Sequence, residues 1–339
     1  MKLFSVVIPA FNCENSIERT IGSIISSGLT DYEIVIVNDG STDSTASACN
    51  SLCSQYSFIK YYEQENSGVS AARNLGLSLA AGEYIMFFDA DDTAEEDVFS
   101  ECINIIKNEK PDILVFGMRF DYYKKGRCYR KDELVPEQEG LLNKNQIKAE
   151  LESLYNTNAL SSACNKIIKK TLIIDNNISF NTNYFLMEDF LFSLECLKVC
   201  QNIYCLPKAL YCYKQSENEK NAFNRLKRID DFYEFTVPFK AALEALDAGK
   251  TADIVFNNFF FMLLCQKMYY STAKEIKQIA ENIKASSVFN KIKCGEIPTA
   301  YQDFSKNIED ARYSKIRLLN LKTQARHKVA VLVKSIINR

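Results

Sequence analysis

The chain has no tryptophan and a single histidine, His327, in 339 residues. Any planar stacking on a ligand therefore falls to Phe and Tyr. Its 12 cysteines contain no Cys-x2-Cys pair, which argues against a structural zinc site. Cys49/Cys53 and Cys196/Cys200 are spaced i, i+4, as on one face of a helix. The cysteines read as small core residues of a reduced, cytoplasmic protein, since a chain of this length can bury a core without disulfides. Long apolar runs are also missing. The strongest, Phe259 to Cys265, is far too short to span a bilayer, so no transmembrane helix is expected. Val6 to Ile8 is too short for a secretory leader, and Pro9 interrupts it. Neither charge sign dominates: 41 Lys and Arg face 43 Asp and Glu, a net charge of −2 with His neutral. The molecule as a whole is therefore not a nucleic-acid binder by charge. There is no internal repeat and no low-complexity linker. At 47% hydrophobic and 25% charged, the composition is that of a globular protein of one large or two ordinary domains.

What is present is organised around Gly82-Glu83-Tyr84-Ile85-Met86-Phe87-Phe88-Asp89-Ala90-Asp91-Asp92. Tyr84 to Phe88 is a continuous run of β-formers, as for a strand covered on both faces. It empties into three carboxylates that repel one another with no Lys or Arg close by in sequence. A hard divalent cation would offset them, and open α/β sheets bind ligands at the carboxyl ends of strands. Taken alone, the same residues also fit a solvated acidic turn or a helix cap.

Residues 1–117 alternate strand and helix. Phe4–Pro9, Tyr32–Val37, Phe58–Tyr62, Tyr84–Phe88 and Asp112–Gly117 read as strands. Ser16–Ile25, Ser44–Tyr56, Ser70–Ala81 and Glu95–Lys107 read as helices. Repeated βα units predict an α/β, Rossmann-like, mainly parallel sheet flanked by helices. Met118 to Glu139 reads as a hairpin or long loop, with basic residues interspersed with Tyr122, Tyr123 and Tyr129. Helical signals return at Asn145–Tyr155 and Asn183–Val199, then Ile203–Leu206 and Ala209–Tyr213 read as short strands. Beyond Glu217 strand signals stop. Leu226–Phe235, Val237–Leu246, Ala252–Ala273 and Lys274–Ile283 carry helical patterns. The division is 1–216 for a catalytic domain and 217–339 for a helical C-terminal extension that could carry membrane docking or a homodimer interface. Residues 311–339 hold eight Lys and Arg and no acidic residue, with Ile316, Leu319, Ala330, Val333 and Ile337 as a candidate apolar stripe. Such a helix can lie on an anionic membrane surface, or pack on its own domain with a solvated basic face.

Four motifs now stand in order: Val6-Val7-Ile8-Pro9-Ala10-Phe11-Asn12, Val37-Asn38-Asp39-Gly40-Ser41-Thr42-Asp43, Glu65 to Gly76 with Gly68-x4-Arg73-Asn74, and Gly82 to Asp92. Together they resemble the family 2 glycosyltransferases, inverting enzymes of the GT-A fold that build bacterial surface and capsular polysaccharides. The resemblance is dense over residues 4 to about 117 and looser over 160–216.

The resemblance implies roles for residues at matching positions. Pro9 and Phe11 would line a base pocket, Phe11 stacking on uracil. Asp39 would accept the uracil N3–H, Gly68 would belong to the nucleotide-sugar site, and Arg73 would reach the base or the diphosphate. Asp89 would lie near the ribose or the metal waters, and Asp91 would ligate Mn2+ or Mg2+ on the diphosphate. Leu186-Met187-Glu188-Asp189-Phe190 matches the family's acidic pair at a helix start. That makes Asp189 the general base, with Glu188 as its neighbour or an acceptor ligand. Ser162 to Ile167 resembles the segment that supports the acceptor site, without the aromatic that segment often carries. Tyr184, Phe185 or the Tyr122/Tyr123 loop would supply stacking instead. Tyr211-Cys212-Tyr213-Lys214-Gln215-Ser216 resembles a Tyr-x-Tyr-Arg pattern with Lys214 in place of Arg, a point charge for the diphosphate without the bidentate fork.

The implied activity is metal-dependent hexosyl or N-acetylhexosaminyl transfer from a UDP-sugar to a glycan or lipid-linked saccharide acceptor. The implied location is the cytoplasm, peripherally at the inner face of the cell membrane. Two other classes compete. A nucleotidyltransferase would need a Gly-rich phosphate loop with a Lys or Arg near the N-terminus, and Pro9 to Ser16 has neither. A catalytically silent nucleotide-sugar-binding module of the same fold would be expected to lose Asp91 or Asp189, and both are present.

Overall fold

β1 (Phe4–Ala10) buries all seven of its residues, and β2 (Tyr32–Asp39) all but Tyr32. Strands so apolar must be covered on both faces. The computed structural model describes residues 2–95, 99–216, 232–269, 271–285, 302 and 305–306. The chain divides into two compact units, 1–217 and 218–339.

In the first unit β1, β2, β3 (Ile59–Gln64) and β4 (Tyr84–Phe87) pair in parallel in the order β3-β2-β1-β4. Helices α1 (Ile17–Ile25), α2 (Thr45–Gln55) and α3 (Val69–Leu79) connect them, so the carboxyl ends of the strands share one edge. The helix α3 rides close on β1: a Cβ added at Gly76 would stand 2.3 Å from Val7 Cγ1. After β4 come β5 (Thr93–Ala94) and α4 (Ser100–Glu109).

Beyond β4 the sheet departs from the mainly parallel expectation and becomes mixed, continuing β9-β6-β10-β5 with β7 on β6 and β8 on β10. The strand β9 (Lys166–Lys169), which periodicity does not reveal, inserts antiparallel to both β4 and β6 (Ile113–Lys124). The basic, tyrosine-rich stretch is a hairpin of β6 and β7 (Arg127–Leu134). It turns at Lys125 and Gly126, both at positive φ, as a two-residue turn matching strand twist requires. In place of two short strands after residue 200 there is one, β10 (Asn202–Ser216), parallel to β6 along its length and antiparallel to β8 (Gly140–Asn143) at its start. Its pairing register shifts around Leu206 and Ala209. Pro207, with no N–H to give, lies there and makes the sequence look broken.

The helix expected over 145–155 is two short ones, α5 (Lys144–Ala149) and α6 (Leu151–Asn156). A further turn, α7 (Lys170–Ile174), follows β9. The helix α8 (Glu188–Val199) starts five residues later than periodicity suggests.

The second unit contains α9 (Phe232–Glu244), α10 (Lys250–Tyr269) and α11 (Ala273–Ala285), with the Phe239 and Phe259 rings 4.7 Å apart between α9 and α10. Among the described residues no helix is long and apolar enough to cross a membrane. Most of the expected helix Leu226–Phe235 and all of the basic segment 311–339 lie outside the described residues.

Candidate active site

Two turns leave the shared edge of the sheet and lock together. Asn12, after β1, adopts φ +48°, a left-handed conformation that Asn tolerates. Its N–H donates to Ser41 Oγ at 3.0 Å, and its Oδ1 accepts the Thr42 N–H at 2.9 Å. Asn38, at the end of β2, accepts the Ser41 N–H at 3.1 Å. This leaves Pro9 buried in β1 and the Phe11 ring 50% exposed at the edge.

Next along β2, Asp39 is buried and faces the start of α3. Its carboxylate accepts the Ser67 and Gly68 N–H groups at 2.8 Å each and Gln64 Nε2 at 2.7 Å. Gly68 holds φ +89°, a left-handed conformation that favours glycine. An ionised carboxylate has about four lone-pair positions, so one remains on Asp39 for a further donor.

The acidic turn after β4 is held from three sides. Thr20 Oγ1 of α1 sits 3.0 Å from Ala90 O and 2.8 Å from Asp92 O. Arg19 Nη2 donates to Asp91 O at 2.7 Å. Asp91 presents an exposed side chain, whereas Asp92 is 1% exposed. Asp92 accepts the Tyr211 hydroxyl at 2.5 Å and the Lys214 N–H at 2.9 Å, both from β10. Tyr211 Oη also accepts the Asp89 N–H at 3.2 Å. Burial first, then the charges of Asp89 and Asp91, push the Asp92 carboxyl well above the usual carboxylate range. The Lys214 ammonium lies 5.1 Å from the centre of the Tyr123 ring.

The two halves of the site meet on Arg73, in the middle of α3. Its Nη2 donates to Asp89 Oδ1 at 2.9 Å and its Nη1 to Asp189 Oδ1 at 2.6 Å. The guanidinium is 5.2 Å from the Phe180 ring, and its side chain is only 4% exposed. Burial opposes the charge, but Asp189 and Asp89 outweigh it and hold Arg73 protonated, above its ordinary value. Among the described residues its Nε is buried without an acceptor. Asp189 Oδ2 accepts the Ala163 N–H at 3.1 Å. Asp189 and Glu188 open α8, whose N-terminal dipole favours carboxylates. Met187 before them stands at φ +62° and sets the angle at which the helix begins.

The expected site residues thus fall into linked groups. Asp39 joins Gly68, Asp89 joins Arg73 and Asp189, and the turn around Asp91 joins β10 beside Lys214. Arg73 is placed between two carboxylates, not facing the shared edge with an open fork. Sequence reasoning left Thr20, Asp92, Tyr211 and Lys166 without roles. The acidic run and the Tyr-x-Tyr motif name Asp92 and Tyr211, but nothing in sequence pairs residues 119 apart.

Among the described residues no group of three His, Cys, Asp or Glu side chains could hold a metal unaided. The donor set still fits Mn2+ or Mg2+ of the kind that takes one or two carboxylates and completes its shell with water and phosphate. Asp91 is exposed, and Asp89 gives only one of its oxygens to Arg73.

Comparison with known proteins bears on the whole arrangement. The family model described as Glycosyl transferase family 2 matches residues 5–175, just over half of the chain. The cholesterol galactosyltransferase of Borreliella burgdorferi is 27% identical over 297 residues, spanning 85% of this chain and 80% of that protein. The poly(ribitol-phosphate) β-N-acetylglucosaminyltransferase TarP of Staphylococcus aureus is 30% identical over 207 residues, 60% of this chain and 59% of that one. Among solved structures, S. aureus TarS 1–349 in complex with UDP superposes with a TM-score of 0.69 at 20% identity, covering 96% of this chain and 92% of that one. At that identity the likeness speaks for the fold, an α/β GT-A sheet with C-terminal helices. The turns that close on one another here all fall within, or are held by, the segment the family model spans, and the chain belongs to glycosyl transferase family 2.

Proposed function

We propose that the protein is a metal-dependent inverting glycosyltransferase that moves a sugar from a UDP-sugar to a glycan or lipid-linked acceptor in bacterial polysaccharide biosynthesis. The observation that carries this reading is the Arg73 bridge. It joins Asp89, at the proposed donor end, to Asp189, 116 residues away from Arg73 in sequence, at the proposed acceptor end. A family model match, a relative that is an N-acetylglucosaminyltransferase and a similar fold solved with UDP-GlcNAc support the donor class.

In this reading Phe11 stacks on uracil, and the remaining lone pair on Asp39 accepts the uracil N3–H. Asp91, with Asp89, would hold Mn2+ or Mg2+, and a bound ion would supply Lewis-acid stabilisation of the leaving diphosphate. A structure of a mannosyltransferase from Pyrobaculum calidifontis holds GDP-Man and Mn2+, a more distant likeness at a TM-score of 0.51 and 14% identity. Asp189 takes the proton of the acceptor hydroxyl as its oxygen attacks the anomeric carbon. The bond from that carbon to the diphosphate oxygen breaks, and its electron pair leaves with the diphosphate. Lys214 lies near the departing charge.

The test is a donor screen with UDP-, dTDP- and GDP-sugars, with and without Mn2+. Metal-dependent UDP release from one sugar, lost in Asp91→Ala, supports the reading. Asp189→Ala is expected to keep only a small residual hydrolysis, because water attacking without the base is far slower, and to fail at transfer. If no donor is hydrolysed and none raises the melting temperature in the presence of metal, the reading falls. A silent binding module then takes its place.

A further inference from the structure

Lys166 is 2% exposed, the first residue of β9. A buried ammonium normally sits against a carboxylate. Among the described residues Lys166 has none within ion-pair reach. Its Nζ donates instead to the Ser162 carbonyl and, at 2.9 Å, to Asn165 Oδ1. These are the two ends of one turn. Asn165 is fastened beyond it, its Nδ2 donating to Asn158 O at 3.1 Å and its carbonyl accepting the Phe116 N–H at 3.1 Å. In the middle of the turn, the Ala163 N–H donates to Asp189 Oδ2. The ammonium therefore stands behind the peptide that fixes one oxygen of the proposed base, while Arg73 fixes the other.

We propose that Lys166 is a positioning residue for Asp189, its buried ammonium clamping the Ser162–Asn165 turn so that the Ala163 N–H holds the carboxylate toward the acceptor. This rests on the reading of Asp189 as the base. The charged and titratable groups around Lys166 are Asp189 and Cys196 from α8 and Cys164 from the turn itself, with Arg73 of α3 on the far side of Asp189. Burial pushes both thiols up, so they stay neutral near pH 8. Burial pulls Lys166 down to about 8, against the charge of Asp189. The clamp therefore loosens as the pH rises through that value, because a neutral amine binds a carbonyl more weakly than an ammonium does.

The test follows the Ala163 amide by NMR as the pH is raised from 7 to 9 through the Lys166 value of about 8. In the unmodified protein its resonance moves with a midpoint near 8, and in Lys166→Met the movement is gone. With UDP-GlcNAc and Mn2+ as probes, Lys166→Met lowers kcat for UDP release about tenfold, with KM unchanged and a flat profile over the same range. An Ala163 amide that stays still in the unmodified protein overturns the proposal without any variant having to fold. So does a Lys166→Met variant with an unchanged rate. Asp189→Asn separates the two ideas. If it releases UDP at the full rate the base reading falls, while the amide titration alone decides whether Lys166 holds the turn.

Discussion

Replacing Arg73 with Met keeps an unbranched side chain in α3 and deletes the charge that two carboxylates share and that lies over Phe180. Removing one partner of a buried ion pair generally costs about 3–5 kcal/mol. Here water recovers part of that, because the Asp189 side chain is 19% exposed and the Asp89 side chain 32%. The orphaned Arg73 Nε works in the same direction, since Met does not have to bury it. The loss should fall at the low end, about 3 kcal/mol at neutral pH. More of it belongs to Asp189, which is closer and drier. An Arg73→Met/Asp189→Asn double-mutant cycle should give a coupling of about 1.5 kcal/mol, and the Arg73→Met/Asp89→Asn cycle about half that. Urea denaturation followed by far-UV circular dichroism measures both, since the chain has no tryptophan to report. A loss under about 1 kcal/mol, or a stronger coupling to Asp89, would refute the assignment of Arg73 as the buried bridge between the two halves.

Three further outcomes follow from the same packing. Asp92→Asn keeps an acceptor for the Lys214 N–H and should cost under about 1 kcal/mol, whereas Asp92→Ala strands that N–H and the Tyr211 hydroxyl at about 3 kcal/mol; thermal melts of the two variants compare them. Gly76→Ala forces a methyl against Val7 and should destabilise by about 1–3 kcal/mol, visible as a lower urea midpoint without a change in slope. Glu33 accepts Ser5 Oγ at 2.7 Å and the Ala81 N–H at 2.6 Å and pairs with Lys60. Although burial acts against it, these donors hold its carboxyl below the ordinary 4.5. A depressed carboxyl stabilises the fold above its unfolded value and loses that contribution as pH falls through its folded value. Acid titration should therefore show a stability loss below pH 4.5 that is shallower in Glu33→Gln.

The sequence made β1 to β4 and α1 to α3 legible because β1, β2 and β4 are buried on both faces, β3 is a short run of β-formers at the sheet edge, and each helix keeps one apolar face. The same apolar logic hides β9: Lys-Ile-Ile-Lys is too short to show a period, and its lysines look like surface residues until Lys166 is found buried. The strand β10 reads as two because Pro207 interrupts its pattern, yet the parallel partner β6 carries it across. The candidate site was legible as a set of turns, not as a set of contacts. Asp39, Arg73, Asp89 and Asp189 could be named in order along the chain. That one guanidinium would bridge Asp89 and Asp189 could not, because which charge a side chain meets is decided by the mixed half of the sheet.

The bonds that close the site are among the longest-range in the chain. Asp92 waits for Tyr211 and Lys214, 119 and 122 residues later, and Arg73 waits for Asp189, 116 residues later. During synthesis the parallel half of the sheet and the β6–β7 hairpin can form as they emerge. Thr20 and Arg19 can hold the backbone of the acidic turn early, but the Asp92 carboxylate cannot meet Tyr211 and Lys214 until β10 has left the ribosome and slid in beside β6. Loop-closure entropy of this size slows such steps, so the Asp92 carboxylate should be among the last groups of the first unit to be fixed. A nascent chain released before β10 could close the Asn12–Ser41, Asp39–Gly68 and Arg73–Asp189 contacts, yet would leave the Asp92 carboxylate without Tyr211 and Lys214.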